Sequence, residues 1–178
     1  HQRGYADEAA GWWRIAAVAG SCAAAHALGR HFRERGDEPA AEYWLRQSAE
    51  QGHVLGAYAL ADLLEHRADT AGAERWMRAA AERGHREAAY RLARTLDRRA
   101  GRDLDGDAGV VRSVTERADR ADRTEGSEEA EQWYRQAAAR GHRRAALHLG
   151  AILERRGELR EAGRWYLTSA KDGEPRAA

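Results

Sequence analysis

The sequence predicts an all-α solenoid of stacked antiparallel helix pairs. Three observations carry that expectation. Five tryptophans, Trp12, Trp44, Trp76, Trp133 and Trp165, recur at steps of 32, 32, 57 and 32 residues. Small and large apolar residues between them follow a helical period. No alternating strand pattern occurs anywhere. A fixed period of this length marks a repeat architecture, in which each unit buries its apolar face only against its neighbours.

The second helix of each pair carries the frame A-x2-W-x4-A-x2-G. It reads Ala9, Trp12, Ala17, Gly20, then Ala41, Trp44, Ala49, Gly52, then Ala73, Trp76, Ala81, Gly84. Ala130, Trp133, Ala138, Gly141 and Ala162, Trp165, Ala170, Gly173 complete the series. Ala9, Trp12, Trp13, Ala16 and Ala17 fall at i, i+3, i+4, i+7 and i+8, one face of a helix. The tryptophans are read as packing residues and as the main buried mass, each costing roughly 3–5 kcal/mol on truncation to Ala. The glycine ends the helix, because a left-handed residue is cheap for Gly.

The first helix of each pair follows the glycine with G-x4-A-x2-L. The instances are Gly20, Ala25, Leu28; Gly52, Ala57, Leu60; Gly84, Ala89, Leu92; and Gly141, Ala146, Leu149. Another apolar residue follows one turn on: Phe32, Leu64, Leu96 and Leu153. Short turns such as Arg35-Gly36-Asp37 and Arg156-Gly157-Glu158 join the pairs. The pattern predicts nine main helices in one array over residues 1–178. The long step of 57 residues is 32 plus an insertion of 25, at about 101–125. That insertion is expected to be a solvated loop followed by a short charged helix, or disorder. Gly4 aligns with Gly36 and Gly157, and Gly173–Ala178 with Gly141–Ala146, so the chain is expected to be part of a longer array with apolar surface at its ends.

Composition narrows the function. Charged residues make up 33%, yet 30 Lys and Arg against 29 Asp and Glu leave a formal +1, which argues against a dedicated nucleic-acid surface. No apolar run approaches the length of a membrane span. Cys22 is the only cysteine, so no internal disulfide or Cys-rich zinc site is available, and a cytoplasmic, reducing setting is expected. Arg and Ala dominance points to a GC-rich bacterial genome.

The segments AERWMRAAAERGH (Ala73 to His85), GHREAAYRLARTL (from Gly84) and AEQWYRQAAARGH (Ala130 to His142) resemble tetratricopeptide repeats. More closely they resemble the Sel-one-like branch, with its W-Y-x-x-A-A-x-x-G-H run. The resemblance spans nearly the whole chain. It implies a right-handed superhelix whose concave groove, lined by the first helix of each pair, binds a peptide or protein segment. Two residues before each key Leu stand His26, Tyr58, Tyr90 and Leu147. One turn on are Arg30, Asp62 and Arg94, then Arg33. The candidate peptide-binding groove is therefore His26, Arg30, Arg33, Tyr58, Asp62, Tyr90 and Arg94, rich in the Tyr and Arg that dominate binding hot spots. The bland alternative is that the tyrosines merely pack and the charges are solvated.

Other signals are weaker. His53, His85 and His142 recur after the turn glycines, on separate repeats, and suit capping better than a shared metal. Asp103, Asp105 and Asp107 resemble the first half of a calcium loop, but Ala108 and Val114 stand where Gly and Glu are needed. No nucleophile elbow, phosphate loop or HExxH motif occurs. The expectation is a non-enzymatic binding scaffold or adaptor without cofactor or metal, holding a protein or peptide partner, with end-to-end self-association through the open ends. The alternatives are a regulatory sensor module of a larger protein, or a metal-dependent or enzymatic role centred on the insertion.

Overall fold

The computed structural model describes residues 2–105 and 115–171, and the side chains of 4–101 and 125–171. Among the described residues there are nine α-helices and no strand, as the period requires. They fall into two compact units, His1–Arg83 and Gly84–Ala178. The first holds α1 (Gln2–Val18), α2 (Cys22–Glu34), α3 (Glu38–Glu50), α4 (Val54–His66) and α5 (Thr70–Glu82). The second holds α6 (Arg86–Asp105), α7 (Thr115–Ala139), α8 (Arg143–Arg156) and α9 (Leu159–Lys171). In the first unit each helix packs on the next, and α2 also touches α4. In the second, α6 packs on α7, α7 on α8 and α8 on α9.

The helix boundaries follow from local chemistry. Gly20, Gly52, Gly84 and Gly141 all take positive φ, so each turn into a first helix uses the left-handed backbone that Gly adopts without strain. The next backbone donors are then capped in two ways. Asp37 and Asp69 accept from the N–H of Ala40 and Gly72 at the starts of α3 and α5. At the first helices the acceptor is Ser21 for α2 and the Nδ1 of His53, His85 and His142 for α4, α6 and α8. The three histidine bonds are each 3.1 Å long, so the recurring histidines are helix caps.

The core differs from the expected tryptophan ladder. Trp12 is 71% exposed, Trp44, Trp76 and Trp165 are half-buried, and Trp133 alone of the series is buried. In α3, α5 and α7 the position after the tryptophan holds the centre of the stripe: Leu45 and Tyr134 are wholly buried and Met77 is nearly so. Each successive helical residue turns by 100°, which sets the tryptophan at the flank of the stripe and its neighbour at the middle. The first helices answer with Leu28, Leu60, Leu92 and Leu149, all wholly or almost wholly buried. Gly29 lets α3 approach closely, since a Cβ there would lie 2.6 Å from Leu45 Cγ. Ser48 is fully buried and satisfied, its hydroxyl donating to the Cys22 carbonyl at 2.7 Å.

At the insertion, α6 runs on to Asp105 and the charged helix α7 begins at Thr115, while residues 106–114 lie outside the described residues. α6 has 20 residues against 13 in α4, and α7 has 25 against 13 in α5. The extra sequence lengthens both helices of one pair, and the flanking turn glycines keep their places. The Asp103, Asp105 and Asp107 side chains and the Val110–Val114 stretch lie outside the described residues.

Candidate functional site

Leu28 and Leu60 fix the phase of α2 and α4. A residue two positions earlier sits about 200° around the helix, away from the buried leucine. His26 and Tyr58 therefore face outward. The structure places them in one cleft of about 420 Å³ in the first unit, lined by His26, Arg30, Arg33 and Glu34 of α2 and by Leu55, Tyr58, Ala59 and Asp62 of α4. Five of the seven groove residues selected from sequence thus meet in one concavity. Leu55 and Ala59 were not selected, although with Tyr58 and Asp62 they fall at i, i+3, i+4 and i+7, one helical face, so the helical period could have found them.

Arg33 and Asp62 form a short ion pair that joins the two walls, at 2.7 Å with both side chains partly covered. Arg30 and Glu34 lie on the rim, 3.8 Å apart and well exposed. Leu55 is about half-exposed, and with Ala59 and the Tyr58 ring it gives the cleft an apolar wall. His26 lies against His53, ring centroids 5.3 Å apart. Burial lowers the His26 pKa below 6.5, and the His53 and Arg30 charges lower it further, so its ring is neutral at pH 7. An apolar wall, a neutral imidazole, a crossing ion pair and two rim charges form a surface that can seat an apolar side chain and pair with polar groups beside it.

The other two groove residues belong to the second unit and have different surroundings. Tyr90 is only 4% exposed. Its ring stacks on His142 at 4.3 Å and contacts Tyr134 and His148, with the Arg94 guanidinium 5.8 Å from its centroid. His142 is held on both ring nitrogens: Nδ1 accepts from Ala145 N–H and Nε2 lies 2.6 Å from a Glu87 carboxylate oxygen. Because Nδ1 accepts, the ring proton sits on Nε2 and donates to Glu87. The Tyr134 hydroxyl is buried without a hydrogen-bond partner, and burial, then Asp97, raise its pKa. This cluster binds α6, α7 and α8 together.

Among the described residues no group of three or more His, Cys, Asp or Glu could hold a metal ion. No described helix is long and apolar enough to cross a membrane.

The chain matches no family model and no curated protein sequence. Its fold matches solved structures. The SLR-fold protective antigen c5321 of uropathogenic Escherichia coli aligns over 93% of this chain at TM-score 0.66 and 24% identity. A Sel1 repeat protein from Oxalobacter formigenes aligns over 93% at 0.67 and 24%. The chain spans only 34% and 45% of those two proteins. MamA aligns over 96% of this chain and 90% of its own length, at TM-score 0.56 and 15% identity.

Proposed function

We propose that this chain, whose fold is that of the Sel-one-like helical-repeat arrays, acts as a binding scaffold that holds an extended protein or peptide segment in the cleft between α2 and α4. One observation carries the reading: His26, Arg30, Arg33, Tyr58 and Asp62, expected in the groove from the family resemblance and their place in the repeat frame, line a single cleft with an apolar wall and charged rims. Tyr58 and Leu55 would seat an apolar anchor, and Arg30 and Glu34 would pair with its polar flanks. Tyr90, packed inside the second unit, is left out of the contact surface, and Arg94, exposed beside it, does not line the cleft. The reading is of a non-catalytic protein without cofactor. A reducing cytoplasm suits a chain with one cysteine.

A displayed peptide library tests it. Peptides enriched on the wild-type chain should bind a Tyr58→Ala, Arg30→Glu double variant at least tenfold more weakly, about 1.4 kcal/mol, while its melting temperature stays close to wild type. Peptides that bind both proteins equally would remove the cleft from the site and the reading with it.

A further inference from the structure

Building on that reading of the α2–α4 cleft as the binding site, we propose that the side chain it takes from its partner is an aromatic ring. In the second unit the equivalent position already holds one. Counted from the key leucines Leu28 and Leu92, His26 stands where Tyr90 does. Counted from Leu60 and Leu149, Ala59 stands where His148 does. One ring contact is common to both units. His26 lies against His53, the cap of α4, at 5.3 Å, and Tyr90 lies against His142, the cap of α8, at 4.3 Å. The difference is in what covers that ring. His148 meets Tyr90 edge-on at 5.6 Å and stacks on Tyr134 at 5.3 Å, with 13° between the planes. Leu45 and Ala59 hold those two places in the first unit. His26 is accordingly left half-buried, and Ala59 lines the open cleft beside it.

The cleft is thus a ring cluster that lacks one imidazole. A ring from outside would meet His26 as His148 meets Tyr90, with Leu55 and Tyr58 along its edge. Stacked and edge-on ring pairs gain beyond the area they bury, which an aliphatic side chain of the same size does not. The charges favour the same occupant. Arg30 holds the frame position of Arg94, whose guanidinium lies 5.8 Å from the Tyr90 ring centroid. A cation at the rim attracts the electron-rich face of an aromatic ring. His26 is neutral at pH 7, so it offers a ring surface and not a second cation.

Peptides enriched on the wild-type chain and lost by the Tyr58→Ala, Arg30→Glu variant should share a Phe, Tyr, Trp or His. Such a peptide, remade with cyclohexylalanine at that residue, keeps an apolar ring but has no π face. Isothermal titration should show it binding at least fivefold more weakly, about 1 kcal/mol. Ala59→His supplies the missing ring from within. It should weaken binding of the parent peptide at least tenfold, with helicity and melting at or above wild type. Peptides with no aromatic residue in common overturn the proposal, as do equal affinity for the cyclohexylalanine peptide and undiminished binding to Ala59→His; each of these leaves the cleft as the binding site. Peptides that bind the Tyr58→Ala, Arg30→Glu variant as well as wild type overturn the cleft itself and the aromatic anchor with it. The cyclohexylalanine comparison uses the wild-type chain, so it decides the question even where Ala59→His fails to fold.

Discussion

Ala68 holds the turn position that Gly36 and Gly157 hold elsewhere, with φ of +62°. A Cβ in the left-handed region costs about 1–2 kcal/mol, so Ala68→Gly should stabilise the chain by about 1 kcal/mol, read as a higher denaturation midpoint with unchanged slope. Tyr134 gives a second residue-scale test. Its ring fills the centre of the second unit while its hydroxyl has no partner. A buried unmet hydroxyl is destabilising by about 1–3 kcal/mol, so Tyr134→Phe should leave stability equal or higher. Tyr134→Ala should lose roughly 3–5 kcal/mol. The misplaced tryptophan ladder makes the same point by contrast. Trp12→Ala should fall within about 0.5 kcal/mol of wild type as an exposed substitution, and Leu45→Ala should lose about 2–5 kcal/mol. The sequence marked the stripe by its largest side chain, but size does not report phase. The one-residue offset shows only when the partner helix is in place.

Helix starts are where element-scale chemistry is concentrated. A histidine cap works through a bare Nδ1, so it requires the neutral ring. Burial depresses the His85 pKa below 6.5, with Arg86 adding to the effect and Glu87 opposing it. In the interval between the folded value and 6.5 the unfolded chain binds more protons than the folded one, so stability falls with falling pH. The contribution is fully present above pH 6.5 and is lost as the pH drops through the folded value. His85→Asn keeps a capping acceptor that does not titrate. Its denaturation midpoint should therefore fall less than wild type between pH 7 and pH 5. The pairing of helices was legible because Gly20, Gly52, Gly84 and Gly141 punctuate it and the apolar period sets each face. The fate of Tyr90 was not. Its frame position matches Tyr58, yet His142 from α8 and Tyr134 from α7 close over it, and no local pattern in α6 encodes those two neighbours.

At the scale of the molecule, each helix depends chiefly on its immediate neighbours, so stability is distributed rather than pooled. Leu60→Ala, in the wholly buried centre of α4, should weaken amide-exchange protection most in α3, α4 and α5. Protection in α8 and α9 should change least. Uniform loss along the chain would mean that it unfolds as a single cooperative block. The charge balance fits this arrangement, since ion pairs such as Arg33–Asp62 and Arg67–Glu42 join neighbouring helices and leave no excess of one sign to act at long range.

The lengthened pair α6 and α7 has a consequence for how such a chain changes over time. Seven residues added to one helix and twelve to the next extend the pair by about 10 and 18 Å at 1.5 Å per residue. Yet Trp133 returns to its frame and Gly141 turns as Gly52 does. The added length lies at the C-terminal end of α6 and the N-terminal end of α7, and the frame resumes beyond it at Trp133 and Gly141. The sequence between α6 and α7 is thus a place where residues can be gained or lost while the repeats on either side persist. Excision of the 25 added residues back to an Arg-Gly-Asp turn should yield an ordinary 32-residue repeat with Trp133 and Gly141 still in frame.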